Sequence, residues 1–484
     1  MTAANVKPGD QQAQEGLFGE GELPAMPAAA PAASALAGGG DARVLYAERH
    51  QVELRPVDLD ALLAPSHPAR TVWAFVESMD LGPLYAAIKS RVAGRGAPAI
   101  DPAILVSLWL WATIDGIGSA REVDRLCERD DAYRWLCGGV GVNYHTLADF
   151  RTSHADWLDG QLTRSIASLL DRRLVELNVV SQDGLRVRAS AKAASFRRRE
   201  KLQHLHKLAQ AQVIALKREL TEDAGASARR KQAALERAAR EREERLAKAV
   251  ATMDEIASMP EPKKPKPSKR RGKRKDDPPS DGGVAPAAPA AKEEPEPRVS
   301  TTDPEARVMK MADGGFRPAF NAQLAVDVQT QLIASVDLVN QGSDMRQMAP
   351  MHASVKQRYG VTPDHWLADG GFTKLQAIEE LTERGTQPVL PPPRNRNPDI
   401  DPLAPKETDS AALANWRATM ASDWGRALYV QRGASVECVN AQLRRRGLTQ
   451  FNVRGIAKAK AVLLWHALAH NLMRMRALNM AFAV

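Results

Sequence analysis

The sequence predicts an α/β protein: a mixed-sheet domain preceded by a helical domain and interrupted, after its first strand, by a helical hairpin. Three observations lead there. Residues 46–175 show sharp helix starts and helical periodicity throughout. From Val308 onward, short apolar or alternating runs bounded by turn residues take turns with helical segments, as in strands packed against helices. Between them, residues 193–258 are rich in Ala, Leu, Lys, Arg and Glu, with apolar positions mostly three or four apart.

Residues 1–45 are Ala, Pro and Gly rich without hydrophobic period and read as a disordered leader. In "APAIDPAILVSLWLWATIDG", Asp101 is an expected N-cap and Pro102 the first helical residue of a helix apolar all round, which must be buried. "GSAREVDRLCERD" starts on a Ser119 and Glu122 capping box, and "YHTLADFR" places Thr146 and Asp149 at the same spacing. Short helices with sharp starts suit a DNA-docking domain and a purely structural layer equally. The first strand comes at "LNVVSQDGLRVRAS", where Asp183 stands in the middle of a segment that Val179 and Val180 open as buried. An unpaired carboxylate there is expensive, so something must compensate it.

The hairpin at 193–258 takes its seam from Leu202, Leu205, Val213, Leu216 and Leu220, then Leu235, Ala239, Leu246, Val250 and Met253, with "TEDAGAS" as the break. A Pro, Lys, Ala and Glu rich linker follows at 259–299. The sheet domain, 176–192 and 300–484, then resumes. "AFNAQLAVDV" and "LIASVDLVN" read as adjacent strands joined by "QTQ", and "DMRQMAPMHASVKQRYG" as a helix ending at Gly360. "DHWLADGGF" is a short strand running into a Gly turn, "TKLQAIEELTERG" a helix, "QPVLPPP" a strand and "RNRNPDIDPLAPKETD" a loop. "SVECVNAQLRRRG" is a helix, and "KAKAVLLWHALAHNLMRM" another that packs on the sheet through Val462, Leu463, Ala467 and Leu472.

The net charge of +9 makes a polyanion such as nucleic acid a natural partner. The run Lys263 to Lys275 holds nine Lys and Arg, the whole of that excess, so the folded parts are balanced and a DNA surface on them must come from local clustering. Cys127, Cys137 and Cys438 form no Cys-x-x-Cys, which argues against a disulfide framework or zinc knuckle and fits a reducing cytoplasm. The start lacks the layout of a secretion signal, and "AILVSLWLWA" is about half of the ~20 residues a membrane span needs. "HALAH" has the spacing of a zinc helix, but Ala467 stands where a metalloprotease needs Glu, so His466 and His470 read as structural.

If the first strand is central and the strand ending at Ala368 lies beside it, Asp183 and Asp369 share the C-terminal edge of the sheet, where ligands collect. The late helix then lays Glu437 across the same edge. Carboxylates converging at a point repel unless cations lie between them, and oxygen-only ligands select Mg²⁺ or Mn²⁺. Asp313, which repeats the "DGGF" context, and Asp327 and Asp337 in expected strands compete for these places. Periodicity favours Asp369 only because "HWLA" before it can be a buried strand, and leaves the choice open.

Taken in order, "RWLCGG", "YHTLADFR", "DGLRVRA", "TDPEARVMK", "GGFRPAFNAQLAVD", "ADGGF" and "YVQRGASVECVNAQLRR" make the chain from about Pro65 to Arg476 resemble bacterial insertion-sequence transposases of the DDE type. The resemblance implies an RNase H-like catalytic domain, a helical N-terminal DNA-binding domain, a helical insertion after the first Asp, and a catalytic and metal-binding triad of Asp183, Asp369 and Glu437. It implies two Mg²⁺ or Mn²⁺ ions per site, cutting of element ends, joining of 3′-hydroxyls to target DNA, and a homodimer on paired ends. The last piece resembles the signature Tyr-x2-Arg-x3-Glu-x6-Lys, whose Tyr and basic members hold DNA phosphates. Here these are Tyr429, Arg432 and Arg444, but four residues separate Arg432 from Glu437, and Arg444 replaces Lys. At about 100° per residue, Arg444 returns to the Glu437 face and Arg432 falls off it, so Arg432 is expected before the helix, with Gly433 and Ser435 at its start. Arg121, Arg125, Arg129 and Arg151 are the candidates for recognising element ends. The alternatives are an inactive transposase-derived DNA-binding protein and a stand-alone RNase H-like nuclease.

Overall fold

The N-terminal helices begin where side chains satisfy their first amides. They are α1 (Pro68–Glu77), α2 (Gly82–Ala87), α3 (Pro102–Ile114), α4 (Ala120–Arg129), α5 (Asp131–Cys137), α6 (Tyr144–Ser153) and α7 (Ala155–Asp171). Asp101 caps α3, accepting from the Ala103 amide at 2.8 Å, and the helix is buried from Pro102 to Leu110. Ser119 stands at the N-cap of α4 but makes no side-chain bond there, so the expected capping box does not form. Asn143 starts α6 by accepting from Thr146 N at 2.9 Å, which puts Thr146 and Asp149 inside the helix rather than in a box. The structure, a computed structural model, describes residues 58–90, 98–222, 226–258, 296–393 and 401–480. The expected leader at 1–45 lies outside the described residues, as does nearly all of the expected linker at 259–299.

The sheet is mixed. β1 (Val179–Arg188) is central, antiparallel to β5 (Phe316–Asp327) and parallel to β7 (His365–Leu367). β6 (Ile333–Val339) pairs antiparallel with β5 beyond it, β8 (Gln387–Val389) pairs parallel with β7, and β4 (Arg307–Lys310) pairs with the start of β5. The helix α10 (Met348–Tyr359) ends at Gly360, whose φ of 68° suits a residue without Cβ, and α11 (Leu375–Glu383) leads into β8. Sequence periodicity missed α12 (Ala411–Ala421) and α13 (Asp423–Arg432), and it set the next helix too late. The chain is helical without a break from Asp423 to Arg445: α13 passes through a π-turn, Gly433–Glu437, into α14 (Cys438–Arg445). Gly433 therefore continues a helix instead of starting one.

The insertion leaves β1 through β2 (Phe196–Arg197) and returns through β3 (Val299–Ser300), a short ladder that clamps the base of the hairpin formed by α8 (Arg199–Glu222) and α9 (Ala226–Ser258). Leu202, Ala249, Met253 and Val299 make its small core. Burial fades along the hairpin: Leu246 is 2% exposed, Ala239 is still buried and Leu235 is 51% exposed, so the seam read from the sequence holds from the base through Ala239. The turn between the two helices lies outside the described residues.

The last helix, α15 (Ile456–Ala477), joins the sheet to the N-terminal helices. Val462, Leu463, Ala467 and Leu472 are all buried, in one core that runs from Leu63 through β1 and β5 to Met475. Asn471 accepts from Ile333 N at 2.8 Å and donates to Ile333 O at 2.9 Å, serving the edge strand β6 as a neighbouring strand would. Among the described residues no helix is long and apolar enough to cross a membrane.

Candidate active site

Strand register brings the first two carboxylates together. Ser181 of β1 lies opposite Leu367 of β7 in a parallel pair, so two residues further on each chain stand Asp183 and Asp369. Asp369 caps the short turn Gly370–Phe372, accepting from Gly371 N at 2.8 Å. Asp183 accepts from its neighbour Gly184 N at 2.9 Å and, through Oδ2, from the side-chain amide of Asn440 at 2.8 Å. Asn440 sits on α14 three residues after Glu437, on the same helical face, and is buried.

Glu437 and Arg432 arrive on the helix that crosses this edge. Arg432 donates Nη2 to Glu437, and its Nη1 lies 3.8 Å from Asp183 Oδ2. The guanidinium is 6.0 Å from the Tyr429 ring. Burial pushes the Asp183 carboxyl up to about 6, opposed by the charge of Arg432 and reinforced by the neighbouring charges of Asp369 and Asp344. Burial works to lower the Arg432 pKa, but Asp183, Tyr429, Glu437 and Asp369 outweigh it and hold the guanidinium more firmly protonated than usual. In this structure the cation that compensates Asp183 is therefore Arg432, placed five positions from Glu437 by the π-turn that sequence spacing did not reveal.

Behind Asp183 lies a buried polar network. Gln182 donates to Gln323 Oε1 at 2.9 Å and accepts from Trp366 Nε1 at 3.0 Å. Asp344 accepts from Asn321 at 2.6 Å, from Gln323 at 2.8 Å and from Arg186 at 2.9 Å. A Cβ on Gly184 would run into the Asp344 carboxylate and come within 2.9 Å of Gln323 Nε2, which explains the Gly after Asp183. Neither Asn440 nor Asp344 stood out in the sequence; helical spacing from Glu437 could have pointed to the first.

The competing carboxylates have local partners. Asp313 pairs with Arg317 at 2.7 Å, Asp337 with Lys460 at 2.9 Å, and Asp327 closes the turn after β5 by accepting from Thr330. Of the basic candidates, Arg444 is exposed, and Arg121, Arg125 and Arg129 lie exposed four residues apart along α4. Arg125 pairs with Glu122 and Arg121 rests over Tyr144. Arg151 departs from the expectation: it is 7% exposed, donates to Gly118 O at 2.6 Å and stacks 4.7 Å from the Trp109 ring, so its guanidinium is committed to the interior.

Asp183, Asp369 and Glu437 offer only carboxylate oxygens, which suit a hard divalent ion, and the desolvated Asp183 has lost hydration that such an ion would replace. The donor set fits, although Glu437 here turns to Arg432, and among the described residues no three His, Cys, Asp or Glu are gathered as a cage.

No curated protein and no solved structure matches the chain. Two family models do: residues 57–153 match a transposase domain (DUF772), and residues 294–472 match a transposase DDE domain that includes Asp369 and Glu437. Asp183 and the hairpin lie between the two matched stretches. Two transposase domains in this order make the chain similar to the DDE transposases of insertion sequences and indicate an enzyme of DNA transposition.

Proposed function

We propose that Asp183, Asp369 and Glu437 are the catalytic carboxylates of this transposase, cutting the ends of an insertion sequence and joining the freed 3′-hydroxyls to target DNA. The observation that carries the reading is convergence: three carboxylates from a strand, a turn and a helix all act on one guanidinium, Arg432. The order β6-β5-β1-β7-β8, with β7 and β8 parallel to β1, supports an RNase H-like sheet.

Two Mg²⁺ or Mn²⁺ ions held by the triad would supply activation of a water or 3′-hydroxyl and stabilisation of the leaving oxygen. The chain supplies position. Asp183 is fixed by its strand and by Asn440, and Asp369 by Gly371 N. Arg432, which here contacts Glu437 and Asp183, would hold a phosphate with Tyr429 and Arg444, while Arg121, Arg125 and Arg129 on α4 would contact the element end. Two copies on paired ends would cut both ends together.

The test is Mn²⁺-dependent cleavage and joining of the DNA flanking this gene, comparing wild type with Asp183→Ala, Asp369→Ala and Glu437→Ala. Cutting and 3′-end joining by wild type, with variants that bind but do not cut, is expected. Cutting without joining would make the protein a nuclease, and binding without cutting across metals would make it an inactive descendant.

A further inference from the structure

A second polar site lies away from the carboxylates, where the α3–α4 loop meets the end of the Glu437 helix. Thr113, Gly118, Arg151, Arg446, Asn452 and His466 line a narrow, partly open cavity of about 20 Å³. Two guanidiniums reach it. Arg151 is almost wholly buried and its Nε has no hydrogen-bond partner; His466, 5% exposed, has an unpartnered Nδ1. Arg446 is half-buried, with only a long 3.4 Å contact from Nη1 to His470 Nδ1. Neither arginine forms a salt bridge among the described residues, and Asp115, the nearby carboxylate in the loop, instead accepts from Tyr133 at 3.2 Å.

Burying two like charges without a counter-charge is costly, and the Trp109 face offsets only part of it. The burial of His466, with both guanidiniums nearby, pushes its pKa down to about 3, so the imidazole adds no charge and can donate or accept. A cavity of this size holds one water-sized occupant, which excludes a tetrahedral oxyanion and admits a monatomic one.

We propose that a single halide ion, chloride or its probe bromide, is bound between Arg151, Arg446 and His466. It joins the end of α14, the helix that follows Glu437, to the N-terminal helices. The two segments it joins already approach closely, since a Cβ on Gly447 would come within 3.1 Å of Gly116 O and one on Gly118 within 2.9 Å of Asn452 Nδ2.

The experiment is the melting temperature of the full chain, free of DNA and metal, in potassium chloride, bromide and gluconate at one ionic strength, alongside crystals grown in bromide. A saturable rise of at least about 2 °C in either halide over gluconate, lost in Arg446→Gln, is expected. An anomalous bromide peak between Arg151 and Arg446 should accompany it, and decides the matter should Arg446→Gln fail to fold. Equal melting in all three salts and no peak would assign the cavity to water and overturn the proposal.

Discussion

Arg432 and Glu437 are hydrogen-bonded across five positions of one helix because the segment between them is a π-turn. In a regular α-helix five positions leave two side chains about 140° apart, whereas four leave them about 40° apart. The π-turn absorbs the one residue by which this chain exceeds the Tyr-x2-Arg-x3-Glu spacing, and so keeps both groups on the face that meets Asp183.

Deleting Ala434 should therefore be tolerated. The turn closes as α-helix, the pair becomes i,i+4, and metal-dependent cleavage stays within about tenfold of wild type. Inserting a second alanine there rotates Glu437 by about 100° and should cost more than about 100-fold. Cleavage assays with far-UV circular dichroism check this; equal losses in the two variants would refute the register argument.

Asn440 holds Asp183 with a single buried amide. Hydrogen bonds to charged groups contribute about 1.5–3 kcal/mol, so Asn440→Ala should lower cleavage by about 10- to 100-fold with little change in DNA affinity. Asn440→Asp sets a like charge against Asp183 and should be worse. Filter binding and single-turnover cleavage separate the two effects, and a matching loss of affinity would remove Asn440 from a positioning role.

Although local pattern alone left Asp313, Asp327 and Asp337 in competition with Asp369, the shared sheet edge of Asp183 and Asp369 was legible in apolar runs, a Gly turn and their order. Arg432 was not, because a π-turn leaves no periodic signature; its residues Gly433 to Glu437 read as a helix start only if the preceding helix is missed, and α13 has exposed Trp424 and Val430 that blur its apolar face. Arg151 misled for a different reason. A basic residue late in a short helix looks solvent-facing until tertiary packing sets it against Trp109 and Trp465, whose Nε1 donates to the Arg151 carbonyl at 3.0 Å.

Gly184→Ala places a methyl group against Asp344 and Gln323 inside a buried polar network. Overpacking of this kind costs about 1–3 kcal/mol. The variant should be less stable in urea by that amount and impaired in cleavage, and Gly184→Ala combined with Asp344→Ala should recover part of the loss by clearing the space. Strict additivity of the two changes would show that the Cβ does not press on Asp344.

His470 gives the protein an acid-sensitive seam between α15 and the turn after β5, where its Nε2 lies 2.9 Å from Gln331 O. Burial, aided by the nearby Arg446 and Arg474 charges, pushes its pKa down to about 4, while the unfolded chain titrates near 6.5. Below about pH 6.5 the unfolded state binds a proton that the folded state refuses until about pH 4, so stability falls as pH drops through that window; above it His470 contributes no slope. The loss at the acid end is about 3 kcal/mol. Asp183, raised to about 6, acts in the opposite sense, since its ionisation costs the folded state more as pH rises from its unfolded value near 3.8. His470→Gln isolates the first effect, because a glutamine amide can still donate to Gln331 O but takes up no proton. Urea denaturation from pH 4.5 to 7.5 should show a slope shallower by up to about 1.4 kcal/mol per pH unit in the variant, and parallel curves would mean that His470 is protonated in the folded protein.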